Sequence, residues 1–240
     1  MTLTRVAEVV VAVRDLDDAA AFYRDLLRLP VLEENADELL VGCGLSSLRL
    51  VRATTPELEA WVNENGEGLH HLAFETDDAS ASGELLPPED NLGLAVALRP
   101  PSGSEPTDYR TDDVLNIDHI VISSNDSGAC AAHFEQKLGL EIKRKMIRPG
   151  TNAQLAFGKL YDIVLEFGGP PEPRPGELRA KYWGVVFTVW GLEEVLERVK
   201  AGGLPVGEIR NAVQPGARIA TVKAGTGGVP VAFIQYPERR

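Results

Sequence analysis

The sequence predicts an α+β fold made of four βαβββ repeats, of which the second is truncated. The clearest copy starts with the apolar run at residues 116–122, in which one histidine is embedded. A polar break follows at 123–127, a helical pattern occupies 128–138, and a new extended segment starts at 141. Short apolar runs bounded by polar breaks indicate strands, and the longer 3.6-residue period indicates a helix. The same order of segments recurs three more times.

The first repeat opens with a β-branched run at residues 6–13, which Glu8 interrupts. Acidic residues at 15–18 favour the start of a helix, because they stabilise the positive end of its dipole. One face of segment 17–27 is apolar, as expected of a helix that packs on a sheet. Three short strands are predicted to follow, at residues 30–33, 38–42 and 47–52.

The second repeat is predicted to be incomplete. A polar connector at residues 54–68, with a helical turn at 56–62, leads to a strand at 69–74. A short helix at 79–86 is predicted to end at Pro87 and Pro88, since proline cannot continue a helix. Only one further strand is predicted, at 92–98. The Pro-, Ser- and Gly-rich segment 99–113 is then predicted to be a linker.

The third and fourth repeats are better preserved. Strands at residues 140–145, 153–157 and 163–167 complete the third repeat. In the fourth, a strand at 183–189 precedes a helix at 192–200, which Gly202 and Gly203 are predicted to cap. The remaining strands are predicted at 205–208, 217–222 and 229–235.

Charge is distributed unevenly along the chain. Residues 1–113 carry 8 Arg, no Lys and 23 Asp or Glu, a net charge of −15, whereas residues 114–240 carry 16 Lys or Arg and 13 Asp or Glu, a net charge of +3. The overall charge of −12 argues against a nucleic-acid partner. The asymmetry predicts a domain boundary near residue 113 and a second half better suited to an anionic small molecule. Solvated carboxylates that maintain solubility explain most of the acidic surface.

The remaining composition predicts a cytoplasmic protein without a membrane partner. No apolar run approaches the roughly 20 residues that a membrane helix requires, and no signal-peptide pattern opens the chain. Cys43 and Cys130 lie far apart and in no metal-ligand spacing, which is typical of buried thiols in a reducing compartment.

The repeats, together with AAAFYRDLLRL, AAHFEQKLGLEI, GLHHLAFETDD and NIDHIVISSND, resemble the vicinal oxygen chelate superfamily. This superfamily includes glyoxalases, extradiol dioxygenases and bleomycin resistance proteins. The resemblance implies that repeats pair into two curved, barrel-like mixed-sheet halves. Residues 1–113 would form an N-terminal half that serves mainly as a scaffold. Residues 114–240 would form a C-terminal half with the functional pocket, and the protein would be a monomer or a homodimer.

The resemblance also implies a divalent metal, Fe, Mn, Ni, Co or Zn, held by a first-strand histidine and a last-strand glutamate of each paired repeat. Carried over position by position, the third repeat retains both groups, His119 and Glu166. The other three repeats are depleted at these positions, which read Glu8 and Arg49, His71 and Ala97, and Gly184 and Ala232. His119 and Glu166 are therefore the main metal and catalytic candidates, with Glu8 and His71 weaker. Two ligands make a weak site, so a metal-free protein is the alternative.

Each candidate also has a structural interpretation. Glu166 lies in an apolar strand, where an unpaired carboxylate is costly, so it requires a partner such as His119. Glu8 is in a similar position, with Arg49 or His71 as partner. The substrate pocket is predicted to include Arg148, Phe157, Trp183 and Phe187, although a solvated loop explains Arg148 and the core explains most aromatic residues equally well.

Two classes of function follow. The first is an enzyme that binds a small oxygenated organic substrate and uses His119 and Glu166 for isomerase or lyase chemistry, with or without a metal. An extradiol-type dioxygenase is a further alternative, which the missing ligands disfavour. The second class is a metal-free protein that sequesters a small molecule, as bleomycin resistance proteins do.

Overall fold

The computed structural model of the protein describes residues 1–237 and contains two mixed sheets. The first has seven strands in the order β2-β3-β4-β1-β5-β7-β6 and the second eight, in the order β13-β14-β15-β12-β8-β11-β10-β9. The strands of the first sheet are β1 Leu3–Val13, β2 Val31–Glu34, β3 Glu38–Cys43, β4 Ser46–Arg52, β5 Gly68–Thr76, β6 Leu85–Leu86 and β7 Ala95–Arg99. Those of the second are β8 Val114–Ser124, β9 Ile142–Ile147, β10 Gln154–Leu160, β11 Ile163–Gly169, β12 Ala180–Val189, β13 Arg210–Asn211, β14 Arg218–Val222 and β15 Val231–Gln235. The predicted α+β class with four repeats is confirmed.

Four helices start at local sequence signals. They are α1 Leu16–Ala20, which continues as a wider π-helical segment at Ala21–Leu26, α2 Pro56–Asn65, α3 Ser127–Leu138 and α4 Leu192–Ala201. The Asp126 side chain caps α3 by accepting a hydrogen bond from the Ala129 N–H at 2.9 Å. Gly139 ends this helix in the left-handed conformation that a side chain would oppose. These signals fix where α3 starts and stops beneath its sheet.

The second repeat lacks the helix that we predicted at residues 79–86, and that prediction is wrong. The Asp78 carboxylate accepts hydrogen bonds from both the backbone N–H and the hydroxyl of Ser80, and Gly83 adopts a positive φ of 80°. Side-chain bonds of this kind compete with helix formation. The segment leads instead into the two-residue strand β6 and a 3-10 turn at Pro88–Asn91. The repeat is truncated, as predicted.

Two further elements differ from expectation. The connector holds a helix of ten residues, α2, where a single helical turn was predicted. Thr55 caps it and Pro56 occupies its first turn, where a missing N–H costs nothing. The predicted strand at 205–208 is reduced to a single bridge between Val206 and Val222.

Two compact units draw on both sheets. The first comprises Met1–Glu8, His71–Glu105 and His119–Trp183, and the second comprises residues 9–70, 106–118 and 184–237. In the first unit, α3 buries Phe134 edge-on against Phe167 of β11, with 5.0 Å between ring centroids. Strands β1–β7 precede residue 113 and strands β8–β15 follow it. The division of the chain into halves at residue 113 stays a prediction.

The core of the second unit is aromatic. The ring of Tyr23 lies edge-on to that of Phe187, with 6.5 Å between ring centroids, and the Phe187 and Phe233 centroids are 6.3 Å apart. The Tyr23 hydroxyl donates a hydrogen bond to the Thr226 carbonyl at 3.0 Å, and burial raises the pKa of this phenol well above its usual range. Tyr23 is therefore a neutral donor in the core.

Candidate functional site

Strand pairing explains how the repeat places its first-strand and last-strand candidates. In the third repeat, Val121, two residues after His119, pairs with Glu166. The same relation holds in the second repeat, where Ala73, two residues after His71, pairs with Ala97. In the fourth, Val186, two residues after Gly184, pairs with Ala232. Three repeats therefore share one register, and only the third carries an imidazole and a carboxylate at these two positions.

His119 and Glu166 lie on one face of neighbouring strands. Arg144 of β9, Phe157 of β10, Glu166 of β11 and Val121 of β8 form one cross-strand row. The next row holds Lys159, Val164 and His119. Side chains in such rows project from the same side of a sheet. We call the side of β8–β11 that carries these seven residues the third-repeat face.

The opposite side of the same strands is covered by α3. A Cβ added at Gly158 would lie 2.7 Å from Leu140, and one added at Gly169 would lie 2.9 Å from the Ser127 backbone. The residues that face α3, such as Ile120, Ile122 and Leu165, are fully buried. The third-repeat face therefore carries the polar groups, and the other face carries the core.

The imidazole and the carboxylate have different environments. His119 is 7% exposed, and its ring lies edge-on to Phe157 with 6.3 Å between centroids. Glu166 has a side chain that is 12% exposed, and its Oε1 accepts a hydrogen bond from Arg148 Nη2 at 3.4 Å. With strands about 4.8 Å apart and a two-residue offset, the two Cα atoms lie about 8 Å apart. This spacing leaves room for a small substrate group to contact both side chains.

Arg148 is positioned by the turn between β9 and β10. Its N–H donates to the Ala153 carbonyl at 2.8 Å, and its carbonyl accepts from the Asn152 N–H at 2.9 Å. Gly150 has a φ of 86° and open space around its Cα, and Asn152 has a φ of 56°, a conformation that asparagine tolerates well. The hairpin thus holds the Arg148 backbone while the side chain, 47% exposed, reaches Glu166.

The first repeat supplies a second arginine–carboxylate pair. Glu8, whose side chain is 7% exposed, accepts a hydrogen bond from Arg99 Nη2 at 3.1 Å, a partner that the sequence did not suggest. Arg49 contacts Glu38 at 2.7 Å and Glu33 at 3.5 Å. His71, on β5, is half-buried. Thus, the two carboxylates Glu8 and Glu166 each contact a guanidinium.

The other two aromatic candidates lie on β12. Trp183 lies on β12 and is 50% exposed. Phe187 is fully buried in the aromatic core of the second unit, between Tyr23 and Phe233. Of the four predicted pocket residues, the structure brings Arg148 and Phe157 together with Glu166. Lys159 was missed as a site residue, although strand alternation from Glu166 and Phe157 contains the necessary signal.

The donor set does not fit the divalent metal that the resemblance implies. Within residues 1–237, no three His, Cys, Asp or Glu side chains converge as a metal site would require. At the fourth-repeat position, an added Cβ on Gly184 would lie 2.5 Å from the Pro230 carbonyl oxygen, so a ligating side chain has no room there. Tight sites generally need three protein ligands, and Glu166 is already neutralised by Arg148.

A cavity of about 180 Å³ lies elsewhere in the first unit. Its lining includes Asp126 and Ser127 at the start of α3, Lys145, and Pro170 after β11. Leu155, which also lines this cavity, has its side chain next to Gly168 on the third-repeat side of the sheet. The volume is below the roughly 300 Å³ at which ligand pockets begin. The candidate site is therefore the third-repeat face.

No helix in the described part of the chain combines the length and apolarity needed to cross a membrane. Residues 5–86 match the family model described as the Glyoxalase/Bleomycin resistance protein/Dioxygenase superfamily. A comparison with curated proteins finds no match.

Several solved structures share the fold of nearly the whole chain. A triple mutant of 4-hydroxymandelate synthase from Streptomyces coelicolor has a TM-score of 0.73 at 15% identity, with 99% of this chain and 94% of that chain covered. The Mn(II)-bound glyoxalase from Novosphingobium aromaticivorans has a TM-score of 0.69 at 16% identity, with 99% and 83% covered. BphC, a halotolerant catechol dioxygenase, has a TM-score of 0.67 at 11% identity, with 98% and 87% covered.

Identities this low show a shared fold and not a shared reaction. The family match over residues 5–86 covers the first repeat and the start of the second, and the shared fold covers the rest. Residues 5–86 are therefore similar to the glyoxalase, bleomycin resistance protein and dioxygenase superfamily, and nearly the whole chain shares the fold of these three solved structures.

Proposed function

We propose that the protein is a metal-independent enzyme that binds a small oxygenated organic molecule on the third-repeat face and moves a proton on it. One observation carries the proposal: His119 and Glu166 lie on the same face of adjacent strands, and the charge of Glu166 is compensated by Arg148. A base and an acid on one side of a substrate suffice for isomerase or lyase chemistry. Glu166 would accept a proton from a carbon next to a carbonyl, and His119 would donate to the oxygen.

Arg148 would supply, beside Glu166, the positive charge that a bound divalent ion could otherwise supply. A guanidinium holds a carboxylate in a defined orientation, but it cannot bind two substrate oxygens as an open metal site does. The donor set therefore supports proton transfer more than oxygen chemistry. Dioxygenase activity, which would require three ligands, has no support from these residues.

A second candidate function is a metal-free binding protein of the bleomycin-resistance type. The closed position at Gly184 and the small side chain of Ala232 favour it, since the fourth repeat contributes neither group of the ligand pair. Such a protein would bind the same small molecule without converting it. The two functions differ in their dependence on His119.

The test is hydrogen–deuterium exchange at carbon, followed by NMR in D2O over a panel of hydroxy acids, keto acids and thioesters. We expect exchange by the wild type and a loss of about 10²–10⁴-fold in His119→Gln and Glu166→Gln. Glu177→Gln is the matched control, because this exposed carboxylate pairs with Arg179 away from the face. Binding without exchange across the panel would leave the sequestering function.

Metal dependence is tested on the same samples. We expect sub-stoichiometric Fe, Mn, Ni, Co and Zn by elemental mass spectrometry, and exchange rates that EDTA does not change. A stoichiometric metal that is lost in both His119→Gln and Glu166→Gln would overturn the metal-independent mechanism and restore the two-ligand metal site.

We also propose that the protein acts in the cytoplasm as a monomer. Cys43 and Cys130 are buried and are not joined in a disulfide, as is usual for thiols in a reducing compartment, and burial raises the pKa of Cys130 to about 12. The chain itself supplies all four repeats. Sedimentation of the purified protein tests the monomer, and a dimer mass would contradict it.

A further inference from the structure

Edge strand β9 places a row of basic residues beside the candidate site. Arg144 pairs with Phe157, and Met146 pairs with Leu155, so residues of this parity project onto the third-repeat face. Arg148 continues the alternation and reaches Glu166. Lys159 joins the same face from β10, opposite Val164. Three cationic side chains therefore surround a single carboxylate.

The positive charge on this face is not neutralised. Arg148 compensates the charge of Glu166. The side chains of Arg144 and Lys159, by contrast, are exposed and have no hydrogen-bond or ion-pair partner among residues 1–237. The chain as a whole has a net charge of −12. A local excess of cations on an acidic protein concentrates anions at that place.

An apolar surface lies next to these cations. Phe157 lies between Arg144 and Glu166 in the cross-strand row, and Val121 continues the row beyond Glu166. Both side chains are half-buried, so part of each is open to a bound molecule. The face thus offers a cationic rim at its β9 edge and an apolar surface further in.

We propose that the ligand of the third-repeat face is a small organic anion whose charged group is a carboxylate or a phosphate. The charged group would bind Arg148 and Arg144, and the apolar body would pack on Phe157 and Val121. Guanidinium groups bind both anions with paired hydrogen bonds. This inference rests on the proposed function only in using the same face, and it adds the substrate class.

The Arg148–Glu166 pair gives the bound anion a second effect. The contact is long, 3.4 Å, and the guanidinium is about half exposed, so its remaining donors are available to a ligand. An anion that draws Arg148 toward itself leaves Glu166 Oε1 free to accept a proton. Substrate binding would thereby prepare the base for the reaction.

The test is calorimetric titration of the full-length protein with benzoate, phenyl phosphate and benzyl alcohol, which share a ring and differ in charge. We expect one or both anions to bind at least about tenfold more tightly than the alcohol, because hydrogen bonds between charged groups are stronger than those to a neutral hydroxyl. The stronger anion identifies the carboxylate or the phosphate as the preferred group. Raising the salt concentration should weaken anion binding and leave the alcohol unchanged.

Variants locate the binding. Arg148→Ala should weaken anion binding about tenfold or more, Arg148→Lys should weaken it less, and Arg144→Ala should have an intermediate effect. Arg179→Ala is the matched control, because this arginine is exposed and pairs with Glu177 away from the face. All four changes are at exposed positions, and circular dichroism verifies that each variant is folded.

Several outcomes would overturn the inference. Equal affinity for the alcohol and both anions would do so, as would anion binding that Arg148→Ala and Arg179→Ala affect equally. Carbon exchange without binding of either anion would overturn the anion class and leave the proposed function intact. Anion binding that depends on Arg148, without exchange on any substrate, would support the inference and contradict the proposed function.

Discussion

The Glu8–Arg99 pair and the Glu166–Arg148 pair contain the same chemical groups, but their surroundings differ. Glu8 contacts Arg99 at 3.1 Å, and a second ion pair lies nearby, between Glu75 of β5 and Arg5 of β1 at 2.6 Å. Glu75 and Arg99 are themselves paired across β5 and β7. In the third repeat, by contrast, the longer Glu166–Arg148 contact lies beside Arg144 and Lys159, whose side chains have no ion-pair partner within residues 1–237.

The difference indicates what each pair does. In the first region, charges are matched and linked to the backbone, since the Ser102 N–H donates to Glu75 and the Thr76 hydroxyl donates to the Arg99 carbonyl. Networks that satisfy all their members hold a structure in place. In the second region, the surplus of cations remains available to a ligand. The same pair of groups serves as a structural contact in one repeat and as a candidate site in another.

The largest expected effect is a difference in unfolding free energy between variants that remove the carboxylate of each pair. Glu8→Ala should lower the free energy of unfolding by about 2–3 kcal/mol, because it removes a buried, charged hydrogen-bond acceptor. Glu166→Ala should change it by less than about 1 kcal/mol, since its arginine is well exposed and the contact is long. Urea denaturation of both variants measures the difference.

Activity provides the reverse comparison for the same variants. Glu166→Ala should abolish carbon exchange, whereas Glu8→Ala should retain it at temperatures where the variant is folded. Equal losses of stability in the two variants would contradict the distinction between a structural pair and a functional pair.

A smaller effect on stability is expected when alanine replaces a glycine of the fourth repeat, Gly184, or one of the third repeat, Gly168. A Cβ at Gly184 would lie 2.5 Å from the Pro230 carbonyl oxygen, whereas a Cβ at Gly168 would have its nearest neighbour, Leu155, at 3.7 Å. Gly184→Ala should therefore cost about 1–2 kcal/mol of unfolding free energy, as overpacking does. Gly168→Ala should be close to neutral. Thermal unfolding of the two variants checks this, and a neutral Gly184→Ala would show that the position can hold a side chain.

Much of the fold could be predicted because repeats and strands leave local signals. The β-branched run of β1 and the polar break before α3 are visible in the sequence, and the structure contains both elements. The helix predicted at residues 79–86 failed because Asp78 and Ser80 form a local turn that competes with it. The strand predicted at 205–208 failed where Gly207 packs closely on Thr221, with only 2.8 Å to an added Cβ.

The site could be predicted only in part. The family resemblance singled out His119 and Glu166, and the strand pairing places them on one face. The contact of Glu166 with Arg148 depends on the pairing of three strands, and Arg99 is 91 residues away from Glu8. Sequence patterns carry little information about such long-range partners, because any of several arginines satisfies the same local rules.

The smallest expected effect is on the pH dependence of stability, and it tests the ion pair of Glu75 with Arg5 in the first region. Burial alone would raise the pKa of Glu75, but the Ser102 backbone N–H and the Arg5 guanidinium outweigh it and hold the pKa below its ordinary value. A carboxyl group with a lowered folded-state pKa contributes stability above its unfolded pKa of about 4.3, and this contribution is lost as the pH falls through the folded value. Glu75→Gln should therefore be less stable than the wild type at pH 7 and should lose less stability between pH 5 and pH 3.

Unfolding midpoints of the wild type and Glu75→Gln across this range measure the effect, with Glu177→Gln as the control for an exposed ion pair. Parallel curves for the wild type and Glu75→Gln would contradict the structural role of the network. The distinction between the two regions would then rest on the Glu8 and Glu166 variants alone. A curve that flattens only in Glu75→Gln would show that the charges of the first region are committed to folding, which leaves those of the third-repeat face as the ones available to a ligand.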